Sequence, residues 1–192
     1  MKRYWPFLLL AFTAFARTPK LNIKLAHNSA IEQRKQAQIE RLAETYDLKK
    51  FTLTKDIAID RGVANHSKPV LTLNAGFLFN DDRALSAYIH EQGHWLLGNN
   101  RSEMPRLYQD LTRTFPGMPA DYPQGSGSVQ DSYYHLAVLT LEWQGLEELV
   151  GPERARAVLE FKSTDHYTEL YKTVLKNRPA LEEILNRYRL HW

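Results

Sequence analysis

Cysteine is absent from the 192-residue sequence. Its absence excludes disulfides, a cysteine nucleophile, thiolate metal ligands and the lipid-carrying cysteine of a lipoprotein. Any metal site must therefore use His, Asp or Glu. A strong charge of one sign is also missing, because the formal net charge is only +3 and both signs are mixed along the chain. We therefore expect no nucleic-acid partner.

Long apolar runs are scarce, and the clearest one lies at the N-terminus. The basic pair Lys2-Arg3 precedes the mostly apolar run Trp5–Phe15, and Ala14-Phe15-Ala16 resembles an A-x-A cleavage site. The run is short for a bilayer span, which takes about 20 residues. We interpret residues 1–16 as a signal peptide, with a retained membrane anchor as the alternative. This predicts an exported protein, periplasmic or secreted, with residues 17–192 as one domain and no stable membrane insertion after cleavage.

Hydrophobic periodicity predicts a helix-rich α+β fold with a small N-terminal sheet. A capping box over Ser29–Glu32 opens a helix through about Thr45. Alternating residues predict one or two strands in 51–59 and another in 69–74. Helices are expected at 80–98, 102–115, 131–150, 152–161 and 164–176, and from Pro179 onwards. The intervening stretch 116–132, rich in proline and glycine, is the longest predicted loop and is expected to border a substrate cleft.

The motif with the most chemical content is His90-Glu91-Gln92-Gly93-His94, an H-E-x-x-H sequence inside a predicted helix. Residues four apart lie on one helix face, so both imidazoles can reach one ion. Glu91 projects beside the metal and can activate a water molecule bound to it. Nitrogen and oxygen ligands with one open position favour tetrahedral zinc, and we expect one Zn²⁺ per chain.

A third ligand has to come from another segment. The predicted buried helix that follows the long loop contains His135 and Glu142, seven residues apart and therefore on the same face. A buried glutamate or histidine is costly unless it is paired or bound to metal. We favour Glu142 as the third ligand and His135 as its outer-shell partner, with His135 as the alternative ligand.

These residues resemble the zincin metallopeptidases of the gluzincin type, in which a glutamate on a later helix completes the H-E-x-x-H site. The resemblance implies a zincin-like domain with an active-site helix and a zinc peptidase acting on a peptide or protein substrate. It also implies an edge strand that pairs with extended substrate, for which we assign Leu71, Thr72, Leu73 and Asn74. Members of this group stabilise the oxyanion with a downstream His or Tyr, which points to His166, with Tyr167 second. One departure is that Leu occupies position 146, where an aspartate often follows the ligand glutamate.

The pattern favours peptide-bond hydrolysis, with Glu91 as the catalytic base. Two alternatives remain open at this point: a zinc amidase that acts on cell-wall peptides, and a non-catalytic binding protein that keeps the zincin fold. The intact glutamate of the motif argues against the second, because a site used only for binding has no need of a base.

Overall fold

The computed structural model describes residues 20–192, and the predicted signal peptide lies outside this range. The described chain forms six α-helices and a three-stranded sheet, which confirms the predicted α+β class. The strands are β1 (Asn22–Leu25), β2 (Asp56–Ile59) and β3 (Leu71–Leu73). The helices are α1 (Ala30–Thr45), α2 (Asp81–Asn99), α3 (Met104–Thr114), α4 (Val129–Val150), α5 (Pro152–Lys162) and α6 (Thr168–Arg187).

The sheet lies in the N-terminal half, as predicted, and all of its strands run parallel in the order β1-β2-β3. Helix α1 connects β1 to β2, which suits the long crossover that parallel strands require. In β2, Ile57 and Ile59 are buried, whereas Asp56 is exposed. The pattern follows from the alternation of side chains between the two faces of a strand.

Two long, largely buried helices form the centre of the domain. Helix α2 begins after Asn80, whose side chain accepts a hydrogen bond from the backbone N–H of Arg83. Helix α4 begins in the same way after Ser128. The two helices pack closely at Gly93, where an added Cβ would lie 3.4 Å from Cγ1 of Val138. The mid-helix glycine of the motif therefore marks the approach of α2 to α4.

One predicted strand boundary was wrong. The stretch 51–59 contains one strand, within the one or two predicted, but β2 begins only at Asp56, after a 3₁₀ turn that spans Lys49–Phe51. The separate helix predicted from Pro179 onwards is confirmed, because the backbone of Asn177 is not helical (φ −123°, ψ 24°) and divides α6 into two helical segments at a kink. Proline lacks an N–H and clashes with the preceding turn, so it bends the helix here. None of the helices in 20–192 is both long enough and apolar enough to span a bilayer.

Candidate metal centre and adjoining cavity

Helices α2 and α4 bring three histidines together. One ring nitrogen from each of His90, His94 and His135 lies within 4.8 Å of the other two. The Nε2 atoms of His90 and His94 are 3.3 Å apart, and the ring centroids of His94 and His135 are 4.8 Å apart. His90 and His135 are buried, and His94 is partly buried. The predicted one-face placement of the two motif histidines is realised on α2.

Two of these imidazoles are oriented through their other nitrogen. His90 Nδ1 lies 2.9 Å from Oε2 of Glu142, and an ionised carboxylate can only accept, so Nδ1 donates the hydrogen. His135 Nδ1 lies 3.0 Å from the carbonyl oxygen of Asp131 and 3.2 Å from its carboxylate. The lone pairs are thereby left on the Nε2 atoms.

The environment favours neutral imidazoles. Burial lowers the pKa of His90 to about 4, although the bond to Glu142 opposes this shift. Burial and the two neighbouring histidines lower the pKa of His94 well below its usual value. A neutral imidazole has the free lone pair that binds a metal ion. The low pKa values therefore keep these ring nitrogens unprotonated and available to a metal ion.

The donor set fits zinc. A tetrahedral ion with Zn–N bonds of about 2.0–2.1 Å has its nitrogen ligands about 3.3–3.4 Å apart. The 3.3 Å between the two motif Nε2 atoms agrees with this value. Without a cation, two lone pairs would face each other here unless one imidazole changed tautomer.

Glu142 does not occupy the predicted third-ligand position. Its carboxylate lies behind His90, is fully buried, and is bonded to four side chains. Besides His90, these are Ser86, Lys162 (Nζ to Oε1, 2.8 Å) and Tyr171 (OH to Oε2, 3.0 Å). Burial alone would raise the pKa of Glu142, but the Lys162 ammonium and the His90 bond outweigh it and hold the pKa below its usual range.

The positions expected for Glu142 and His135 are thus exchanged, and the physical reason is the direction of packing. Along α4, His135 lies beside His94, Val138 lies beside Gly93, and Glu142 lies beside Ser86. The contacts run backwards along α2, so the two helices are antiparallel here. Glu142, which is seven residues closer to the C-terminus of α4 than His135, therefore lies in the core and not beside the converging histidine nitrogens.

Glu91 borders a cavity of about 320 Å³ next to the histidines. Its side chain is only 4% exposed and has no hydrogen-bond partner among residues 20–192. Burial, with Glu142 nearby, raises its pKa to about 8, although Lys162 opposes the shift. The cavity is also lined by Lys35, Ala64, Asn65, Leu73, Asn74, Gly76, Phe77, Ala87, His90, Tyr122, Lys162, His166 and Tyr167.

Both predicted oxyanion residues lie at this cavity, immediately before α6. Tyr167 has a left-handed backbone (φ 50°, ψ 39°), and its ring centroid is 4.7 Å from that of His135. Such a conformation is uncommon for a residue other than glycine. Burial raises the pKa of Tyr167 to about 12, so the phenol keeps its proton. His166 Nδ1 lies 2.7 Å from the Asp165 carboxylate, and burial lowers the His166 pKa.

The long loop before α4 also reaches the cavity. Its carbonyl at Pro123 accepts a hydrogen bond from the N–H of Thr168 (2.8 Å), which fastens the loop to the start of α6. Tyr122, which is 66% exposed, lines the cavity from this loop. The loop therefore forms part of the cavity wall, at the position expected for a segment that borders a cleft.

The predicted pairing of β3 with a substrate strand is not available in this structure. Leu71 and Leu73 pair with β2, and the outward N–H and C=O of Thr72 both bond to His66 (2.7 and 3.1 Å). The N–H of Asn74 donates to Oδ1 of Asn65 (2.7 Å). The outer edge of β3 is thus already paired by the chain's own turn region, and only Leu73 and Asn74 line the cavity.

Four polar residues at or behind the site were not predicted from the sequence: Lys35, Ser86, Lys162 and Tyr171. Lys35 and Lys162 are 2% and 3% exposed, which is unusual for lysine. Lys162 ends an amphipathic helix, where a basic residue is ordinary, so its sequence context gives no signal.

The site as a whole combines three clustered imidazole nitrogens with an unpaired carboxylate and a phenol, and His90, Glu91 and Tyr167 line one cavity. Such a set offers ligands for a metal, an acceptor for a proton and a donor for a developing charge. Comparisons with protein-family models, curated proteins and solved structures find no match for this chain. The resemblance to zincins rests on the five-residue motif.

Proposed function

We propose that the protein is a zinc-dependent metallopeptidase in which His90, His94 and His135 hold one zinc ion and Glu91 is the general base. The observation that carries this proposal is that one ring nitrogen from each of three histidines lies within 4.8 Å of the other two, next in sequence to an unpaired carboxylate at a cavity wall. Bound zinc would polarise the scissile carbonyl and lower the pKa of a nearby water. Export of the chain, with residues 17–192 as the mature domain, belongs to the same proposal.

In its ionised form, which the raised pKa of about 8 makes a stronger base, Glu91 takes the proton from the attacking water and passes it to the leaving amine. It is suited to this task because no other side chain of residues 20–192 is bonded to it. By contrast, Glu142 is the more buried carboxylate and is fully engaged by its partners. Glu142 therefore positions His90 and leaves proton transfer to Glu91.

Tyr167 and His166 supply the hydrogen-bond donors for the charge that develops on the substrate oxygen. The Tyr167 phenol keeps its proton because its pKa is raised, which leaves it available as a donor. The backbone of Tyr167 is fixed by α6 behind it and by the loop bonded to Thr168. A donor held in this way costs little reorganisation when the charge appears.

The test is zinc analysis of residues 17–192 together with cleavage of a peptide library. We expect about one zinc per chain and hydrolysis that falls by about 10²–10⁴-fold in Glu91→Gln while zinc is retained. Glu160→Gln, at an exposed glutamate on α5, is the matched control and should match wild type. Absence of zinc binding in wild type, or equal activity in Glu91→Gln, would refute the proposal. Zinc binding without hydrolysis of any peptide would favour the binding-protein alternative.

A further inference from the structure

A second buried cation borders the same cavity. Lys35, on α1, is 2% exposed, and its Nζ donates to Oε1 of Gln38 (3.0 Å) and to the carbonyl oxygen of Gly76 (2.9 Å). An ammonium has three donors, so one remains unused. No carboxylate of residues 20–192 lies within salt-bridge distance of it.

Lys35 differs in this respect from Lys162, the other buried lysine of the cavity. Lys162 is neutralised by Glu142 at 2.8 Å. The carboxylate that acts on the pKa of Lys35 is that of Asp81, which is already bonded to Arg41 and to Gln38. Burial lowers the pKa of Lys35 to about 8, so it still carries its proton in most molecules at pH 7.

A structural task alone does not explain an ammonium at this position. Gln38 already holds the turn after β3, because its Nε2 donates to the carbonyls of Phe77 and Leu78 (3.0 and 3.3 Å). An unpaired buried charge costs stability, whereas a neutral donor would hold the Gly76 carbonyl without that cost. The turn therefore needs only a hydrogen-bond donor, and the positive charge is left uncompensated at the cavity that Lys35 lines.

We propose that Lys35 recognises a carboxylate of the substrate in the cavity, so that the enzyme prefers peptides with an acidic residue or a free C-terminus beside the scissile bond. This rests on the proposed function, since it specifies the substrate class of the same site. One further observation supports it. Asn65, also in the lining, has a side-chain NH₂ with no partner among residues 20–192, so it offers a second donor beside the Lys35 ammonium.

The size of the cavity agrees with close recognition of this kind. Its volume of about 320 Å³ is near the lower end of the range of about 300–1,000 Å³ for ligand sites. A space of this size admits one or two residues rather than a long extended segment. A charged partner beside the scissile bond would then give a larger share of the specificity than distant contacts.

The test uses metal-free protein, because zinc would itself bind carboxylates. Calorimetry compares three probes: N-acetyl-Ala-Ala amide, N-acetyl-Ala-Ala with a free C-terminus, and N-acetyl-Ala-Glu amide. We expect at least one acidic probe to bind wild type about tenfold or more tightly than the neutral probe. The acidic probe that binds more tightly identifies the source of the carboxylate. Equal binding of all three would overturn the proposal, whether or not any variant folds.

The variant Lys35→Met keeps the length of the side chain and removes its charge. It should lose the preference for acidic probes and keep about wild-type zinc affinity. Lys172→Met, at an exposed lysine on α6, removes an equal charge outside the cavity and should keep the preference. A preference that survives in Lys35→Met would overturn the proposal and leave the metallopeptidase assignment untouched. Conversely, if the protein fails to bind zinc or to hydrolyse peptides, the comparison of probe binding in metal-free protein still tests the role of Lys35, because it depends on neither property.

Discussion

Two groups of residues in the described chain each bring three potential metal ligands within 4.8 Å of one another. One is the histidine cluster between α2 and α4: His90, His94 and His135. The other consists of His27, Glu32 and Asp60, at the start of α1 and the end of β2. In both groups the ligand atoms lie equally close together. The groups differ in whether hydrogen bonds from the protein already occupy those atoms.

In the second group the central carboxylate is saturated. Oε1 of Glu32 accepts from His27 Nδ1 (2.9 Å) and from the N–H of Arg61 (3.2 Å). Oε2 accepts from the N–H groups of His27 (3.1 Å) and Ser29 (3.0 Å). A carboxylate has about four lone-pair sites, so none is left for an ion. The cluster ties the start of α1 to the turn after β2.

In the histidine cluster the bonds to protein are on the far side of the rings. Glu142 and Asp131 take the Nδ1 hydrogens of His90 and His135, and the remaining nitrogens converge. Spacing in the sequence and distance in the structure are therefore not enough to identify a metal site. The decisive feature is the presence of converging ring nitrogens that no backbone group and no carboxylate engages.

Removal of one histidine from each group should distinguish the two clusters most clearly. In His135→Ala we expect zinc affinity to fall by more than the about 10–100-fold that loss of an outer-shell partner costs, because a ligand itself is lost. His27→Ala should retain about one zinc per chain. Competition against a chelator measures both. Zinc loss in His27→Ala and retention in His135→Ala would reverse our assignment.

The next largest effect is expected at Glu142, the residue that the sequence favours as the third ligand. Glu142→Gln removes the negative partner of Lys162 and leaves an ammonium buried without compensation. We expect metal-free protein to lose about 3–5 kcal/mol of unfolding free energy in urea, the usual cost of breaking a buried pair. If Glu142 instead contributes mainly as a ligand, the metal-free protein will be almost unaffected and only the zinc-bound form will lose stability.

A matched control for this prediction is the exposed pair of Glu148 with Lys50. Its removal in Glu148→Gln should change the unfolding free energy by less than about 1 kcal/mol, because water screens the pair. Zinc affinity should fall in Glu142→Gln by about 10–100-fold through loss of His90 orientation and should stay unchanged in Glu148→Gln.

Much of the fold could be predicted because its signals are local. Caps and periodicity identify the start of α1 at Ser29 and of α2 at Asn80. The H-E-x-x-H spacing is also local, so it predicts that His90 and His94 share a face. Gly93 likewise signalled the close approach of another backbone, which proved to be that of α4.

The depth and direction of packing could not be read from the sequence. His135 and Glu142 share one face of α4, and only the antiparallel contact with α2 decides which of them meets His94. The edge of β3 gives the same lesson, because a pairing of Thr72 with His66 in an irregular segment has no periodic pattern. Lys35 reaches the cavity through the contact of α1 with the Gly76 turn, 41 residues away.

The smallest expected effect tests the second group directly, through its dependence on pH. Burial would raise the pKa of Glu32, but bonds from the N–H of Ser29, the His27 ring and the N–H of Arg61 outweigh it and lower the pKa to about 2 from 4.5. The folded pKa lies below the unfolded value, so the stabilisation is complete above about pH 4.5 and is lost as the pH falls towards 2. Glu32→Gln cannot titrate and should lose less stability between pH 5 and 2.5 than wild type does, as followed by melting temperature. Equal acid sensitivity of the two proteins would mean that the carboxylate is not held as an anion, and the contrast with the histidine cluster would lose its basis.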